Sequence, residues 1–133
     1  MIALAGAHLP ALAADLPACM LGRWKSNEEL TLADMARHPE VTEKARVLFS
    51  NHFFGRLVNV NGPRHQADYF IEDKDKPIEF VPIHVAESTE DSAVIEVESE
   101  ALGHAIRTSW FCENGLIYAL TSRWNFREYF SPY

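Results

Sequence analysis

From Leu57 to Phe130 the chain is a succession of short apolar runs, many alternating with a period of two and separated by turn residues. That pattern restricts it to a mainly β fold. The runs are "LVNV", "HQADYFI", "IEFVPIHVAE", "SAVIEVES", "HAIRTSWFC", "LIYALTSRW" and "FREYF". They are rich in β-branched and aromatic residues and are bounded by Gly, Pro, Asn, Asp or Ser. In the clearest of them Ala93, Ile95 and Val97 alternate with Glu96 and Glu98, so one face is buried and one is wet, as an antiparallel sheet permits. Asn61-Gly62 and Asn114-Gly115 suit two-residue type I′ turns, and "ESTEDS" suits a longer hairpin loop. Pro82 lacks an amide donor, which places it on an edge strand or at a bulge.

Upstream, "LGRWKSN" predicts a first strand at about Leu21 to Ser26, and two short helical patterns follow it. Thr31 with Asp34 has the form of a capping box in which Asp takes the Glu/Gln place. Leu32, Met35 and Ala36 then share a face, and Pro39 stops the run near His38. Thr42 is the expected N-cap of the second helix. Ala45, Leu48, Phe49, His52 and Phe53 recur along it at three- and four-residue spacing, and Gly55 ends it. The expectation is one domain over residues 21–133, α+β in class and mainly β, with about eight antiparallel strands and a helix-turn-helix after the first.

Residues 1–20, "MIALAGAHLPALAADLPACM", read either as a degraded leader or as an N-terminal extension with a short helix around Pro10 to Leu16. "LPAC" at Leu16 to Cys19 is similar to a bacterial lipobox, in which the Cys is acylated. Against a leader, no Lys or Arg precedes Arg23, and His8, Pro10, Asp15 and Pro17 interrupt the apolar run. No segment approaches the length of a membrane span. The compartment stays open between cytoplasm and bacterial envelope, and turns on how Leu16 to Cys19 is processed.

One strand, a helix pair and then consecutive antiparallel strands resemble the fatty-acid-binding-protein branch of the calycin superfamily, to which lipocalins also belong. Gly22-Arg23-Trp24 is similar to the Gly-x-Trp of that first strand, "WKSNEELTLADMARHPEVTEKAR" to strand into helix-turn-helix, and "FREYF" to the terminal strand. The resemblance covers roughly residues 20 to 131. It implies a barrel or half-barrel with the helix pair as a lid over one opening and Trp24 as a plug at the closed end. It also implies an Arg-x-Tyr holding a ligand carboxylate, for which Arg127-Glu128-Tyr129 has the form. Phe126, Glu128 and Phe130 form the opposite face of that strand, and if the two Phe residues point inward, Arg127 and Tyr129 point to water. In this frame Trp24 begins the β domain, the Ala-rich stretch lies outside the barrel, and Arg123 is the expected cation against the Trp24 ring.

The chain carries 12 Lys and Arg against 19 Asp and Glu, a formal charge of −7, and has no local basic run. That excludes nonspecific nucleic-acid binding as a driving role. Two cysteines are too few for a disulfide framework and match no zinc spacing; a single bridge is open, and Cys112 reads as a buried apolar thiol. His65, His84 and His104 fall on three separate strand patterns, without HxH, HExxH or a Cys/His pairing, so no metal or cofactor is expected. No Ser-His-acid arrangement and no Gly-rich phosphate loop stands out, and no catalytic residue is assigned.

A turn at Asn114-Gly115 sets Arg107 opposite Ser122 and Ile106 opposite Arg123. Phe111, Tyr118, Leu120 and Trp124 then share a face with Arg107, and Ile106, Trp110 and Ile117 share the other with Arg123. The expected function is non-enzymatic binding of a small hydrophobic or amphipathic ligand, with or without a carboxylate. Arg107, Arg127 and Tyr129 would be the polar contacts, and Phe49, Phe53, Trp110, Phe111 and Tyr118 the apolar ones. The alternative is a protein-interaction module, such as an envelope-associated inhibitor or assembly factor, without a ligand cavity. A third reading, an enzyme on a cone-like curved sheet, would need clustered titratable groups of perturbed pKa.

Overall fold

The structure, a computed structural model, describes residues 14–99, 103–120 and 126–133. It is mainly β, with nine antiparallel strands in a nearly closed barrel and two helices. Strand β1 (Gly22–Ser26) leads into α1 (Glu28–Met35) and α2 (Glu43–Ser50). There follow β2 (Leu57–Asn61), β3 (His65–Phe70), β4 (Val81–Pro82), β5 (His84–Ser88), β6 (Ser92–Ser99), β7 (His104–Glu113), β8 (Leu116–Leu120) and β9 (Arg127–Pro132). The sheet order is β4-β3-β2-β1-β9-β8-β7-β6-β5. The two edge strands, β4 and β5, are joined through the single buried residue Ile83, so the chain itself links the edges of the sheet.

The ninth strand arises because the run expected over "IEFVPIHVAE" divides at Ile83. Pro82 lies in the short edge strand β4, where its missing N–H breaks no central ladder. Asn114 and Gly115 both adopt positive φ, 52° and 81°, and Glu113 pairs with Leu116, the geometry of a type I′ hairpin. Asn61-Gly62 is not the other turn. The Gly62 N–H donates to the His65 carbonyl at 2.8 Å, which makes Pro63-Arg64 the two central residues, and proline's fixed negative φ rules out type I′ there.

The helix caps differ in the same instructive way. Thr42 caps α2 as expected, accepting from the Ala45 amide at 3.2 Å. The cap of α1 is Asn27, whose side chain accepts from the Leu30 amide at 3.0 Å. Thr31 and Asp34 are instead buried inside the helix and bond to β9: the Tyr129 amide donates to Thr31 Oγ1 at 2.9 Å and the Arg127 amide to Asp34 Oδ2 at 2.7 Å. Helix α1 thereby satisfies backbone donors of β9 beyond the stretch of β9 that pairs with β1. Helix α2 ends at Ser50, and His52 has φ +57°, so His52 and Phe53 do not continue its apolar face; Leu48 is exposed.

Among the described residues there are two buried apolar clusters. Within the barrel, Leu16, Met20, Trp24, Ile83, Val85, Ala93, Ile95, Trp110, Ile117, Ala119 and Phe130 pack together. Under the helix pair, Met35, Val41, Ala45, Phe49, Phe54 and Phe126 form the second. Leu16 and Met20 correct the expectation that the stretch before Trp24 lies outside the barrel. That segment makes a 3₁₀ turn at Ala18–Met20, and the Met20 carbonyl accepts from both Trp24 Nε1 and Asn61 Nδ2 at 3.0 Å. A disulfide between Cys19 and Cys112 fastens it to β7, replacing the buried free thiol expected at Cys112. The thioether of an acylated lipobox cysteine needs the same Cys19 sulfur, so bridge and acylation are alternatives, and this structure has the bridge. Arg123, Trp124 and most of Pro10 to Leu16 lie outside the described residues.

Candidate functional site

The site is set by which side chains the pleat turns inward. On β9, Phe130 is 1% exposed and packs in the barrel core, so Glu128 shares its interior face while Arg127 and Tyr129 take the outer one. On β2, paired with β1 and β3, the interior positions are Leu57, Asn59 and Asn61, and on β3 they are Gln66 and Asp68. Across the barrel, β6 contributes Ile95 and Val97, and β7 contributes Ile106, Thr108 and Trp110.

Gln66, Asp68, Ile95, Val97, Ile106, Thr108 and Trp110 line a cavity of about 230 Å³. A wider cleft of about 650 Å³ shares Gln66, Asp68 and Val97 with it and opens past Ile78 and Val81. Ile78 and Val81 are exposed there beside the charged residues Asp73, Lys76, Glu79 and Glu98, which also line this opening.

Gln66 and Asp68 connect this cavity to further polar side chains on the interior face of β1, β2 and β9. Asn59 Nδ2 donates to Asp68 Oδ1 at 2.7 Å, Gln66 Nε2 to Asn61 Oδ1 at 3.0 Å, and Ser26 Oγ to Glu128 Oε2 at 3.1 Å. Ser26 in turn accepts from the Gly55 amide at 3.1 Å. Gly55 has φ +92°, and a Cβ there would meet the Glu28 Cβ at 3.2 Å, so this close approach of the loop depends on glycine.

Burial pushes the Glu128 carboxyl up to about 7; the Ser26 hydrogen bond opposes that shift and the Asp68 charge adds to it. Burial also raises Asp68 against the Asn59 bond, even though its side chain is open to solvent in the concave cleft. No Lys, Arg or His among the described residues pairs with either carboxyl. Among the described residues, two buried side-chain polar atoms lack partners: the indole Nε1 of Trp110, a residue only 9% exposed, and Oδ1 of Asn59, 2% exposed.

Of the side chains expected at a ligand, only Trp110 lines this cavity. Arg127 reaches Glu113 at 3.3 Å and the Tyr129 hydroxyl at 3.2 Å, and lies over the Tyr118 ring at 4.5 Å. Phe111 stacks on Tyr118, and Tyr118 contacts Tyr129, so these residues form one ladder across the outer face of β7, β8 and β9. Inward Phe130 therefore turns the proposed carboxylate anchor away from the barrel interior. Arg107 is on the outer face as well, bonded to Glu96 at 2.7 Å. Phe49 packs under the helices with Phe54 and Phe126, and Phe53 is half exposed beside it.

His65, His84 and His104 stand on β3, β5 and β7, and the described residues hold no group of three or more His, Cys, Asp or Glu arranged to bind a metal. No helix among them is long and apolar enough to cross a membrane.

Sequence reasoning passed over Asn59, Asp68 and Glu128. The signal for Glu128 was its place between Phe126 and Phe130 on one face. For Asn59 it was misleading, because Val58 and Val60 look like the inward set, and Val58 is fully buried on the other face. Comparison of the chain with protein-family models, with curated proteins and with solved structures found no match in any of the three. The architecture itself, a nearly closed antiparallel barrel of nine strands with two helices, fits a calycin-like fold in general.

Proposed function

We propose that the barrel holds a small amphipathic molecule in its interior, non-enzymatically, with its polar end in the Asn59, Asp68 and Glu128 layer and its apolar part along Ile95, Val97 and Ile106. The observation that carries this reading is the unpartnered Trp110 Nε1 in the wall of a cavity that also exposes Asp68. A buried donor without a partner costs about 1–3 kcal/mol, and a ligand acceptor removes that cost. The carboxylate anchor expected at Arg127 and Tyr129 has no part in it.

The test is displacement of an environment-sensitive apolar dye from the full chain, with native mass spectrometry of the protein from its own cells. Saturable one-to-one dye binding, weakened at least about tenfold by Ile95→Trp filling the cavity, is the expected result. Unchanged dye binding in that variant, with its fold intact by circular dichroism, would place the dye elsewhere and end the reading.

The outer ladder of Phe111, Tyr118 and Tyr129 supports a second reading, a protein-interaction surface. A stoichiometric protein partner that is lost on Tyr118→Ala, from a chain that binds no dye, would favour it.

A further inference from the structure

Resting on the reading of the barrel as a ligand carrier, we infer that the polar end of the ligand is an ammonium group held between Glu128 and Asp68, with an oxygen acceptor close to its nitrogen for the Trp110 N–H. The inner layer offers mostly acceptors. Glu128 uses one oxygen for Ser26 and Asp68 uses one for Asn59, which leaves each carboxyl a second oxygen; Asn59 Oδ1 is unpartnered. A primary ammonium brings three donors on one atom and a positive charge, and so matches the three vacant acceptors. A ligand carboxylate brings acceptors to acceptors and a third like charge to two acids, whereas a neutral alcohol supplies a single donor.

Trp110 sets the remaining requirement. Its N–H is a donor, which an ammonium cannot satisfy, so an oxygen on the neighbouring carbon is needed as well. The apolar remainder runs along Ile95, Val97 and Ile106 toward Ile78 and Val81 at the opening.

Binding then depends on pH through Glu128. The charged group facing it is Asp68 of β3; β1 presents Ser26, and Ala119 of β8 is its cross-strand partner. Since the Glu128 carboxyl titrates at about 7, it is mostly ionised at pH 8 and mostly protonated at pH 5.5. Affinity for an ammonium therefore rises across that interval.

Calorimetric titration of the full chain uses three probes of equal length below their aggregation concentrations: a twelve-carbon vicinal amino alcohol, the corresponding diol, and the fatty acid. At pH 8 the amino alcohol is expected to bind about tenfold or more tightly than either of the others, and the advantage is expected to shrink about tenfold at pH 5.5. Glu128→Gln removes most of the advantage and its pH dependence, and Asp68→Asn, judged separately, reduces it if Glu128→Gln does not fold. A diol or fatty acid that binds as tightly as the amino alcohol overturns the ammonium assignment and leaves the carrier reading standing. An advantage that persists in both variants also overturns it, by locating the amine elsewhere. Absence of binding by all three probes, together with failure of the dye test, removes both.

Discussion

The two ends of one barrel interior are built on opposite principles. At the end plugged by residues 14–20, Leu16, Met20, Trp24 and Phe130 pack together, and the polar side chains that meet the plug are partnered: Trp24 Nε1 and Asn61 Nδ2 both bond to the Met20 carbonyl. At the other end, Gln66, Asp68 and Trp110 line a cavity, with Asn59 bonded to Asp68 and Glu128 close enough to feel the Asp68 charge; two carboxyls are held above their ordinary pKa, and the buried Trp110 Nε1 and Asn59 Oδ1 lack partners. A core built only for stability would be closed and satisfied throughout. Satisfaction at one end and its absence at the other separate the part that holds the fold from the part that is arranged for something to enter.

The disulfide carries the largest expected effect on this contrast, because it belongs wholly to the plugged end. Cys19 and Cys112 are 93 residues apart in a chain of 133, and linking them closes a long loop in the unfolded chain. Cys19→Ser with Cys112→Ser should lower the unfolding free energy by about 4 kcal/mol, measured by urea denaturation. Identical midpoints for the variant and the oxidised protein would mean that the plug is held by Leu16 and Met20 packing alone.

Glu128→Gln should act in the opposite direction at the open end. A carboxyl whose folded pKa is raised binds its proton more tightly when folded, so the stability it contributes is present below its unfolded value of 4.5 and is lost as pH rises to about 7. The accumulated loss is on the order of 3 kcal/mol, and Asp68, also raised, adds to it with the same sign. The amide variant should thus be more stable than the parent at pH 8 by about 2–3 kcal/mol and close to it at pH 4. Equal stability at both pH values would show that Glu128 is solvated in the folded chain, and the contrast between the two ends would weaken accordingly.

These two effects also mark how far the sequence could be read. The strands, Trp24 in the core, the Thr42 cap and the Asn114-Gly115 turn were legible because each follows from a local rule of periodicity or backbone conformation. The disulfide was not, since Cys19 and Cys112 are brought together only by tertiary packing, and spacing carries no information about it. The Asn59, Asp68 and Glu128 layer was missed for a related reason. Alternation assigns residues to two faces without saying which is inside, and on β2 both faces are buried, so the apolar set Val58 and Val60 pointed the wrong way.

Thr31 shows a smaller case of tertiary context overriding a local motif. Its hydroxyl looks like a helix cap and instead accepts from the Tyr129 amide. Thr31→Val keeps the shape and removes that acceptor, which should cost about 1–2 kcal/mol. If the residue acted as the cap of α1, the loss would appear as reduced helicity; as a strand partner, it should appear as faster hydrogen exchange at the Tyr129 amide with helicity unchanged.

The smallest effect is expected at the residue pair that a family resemblance singles out most strongly. Arg127 is 40% exposed, and its contacts to Glu113, Tyr129 and the Tyr118 ring all lie on the outer face. Exposed pairs of this kind contribute about 0–1 kcal/mol, because both charges remain largely hydrated and the side chains give up freedom to meet. Arg127→Ala should therefore lower stability by less than about 1 kcal/mol and leave the affinity for an interior ligand within about twofold of the parent. A carboxylate held by Arg127 would require the last strand to be turned by one residue, and a one-residue turn would bring Phe130 out of the core while moving Glu128 to water. A large, specific loss of fatty-acid affinity in Arg127→Ala would thus contradict the placement of the whole strand. Unchanged affinity, alongside a loss in Glu128→Gln, would locate binding on the face that Phe130 buries.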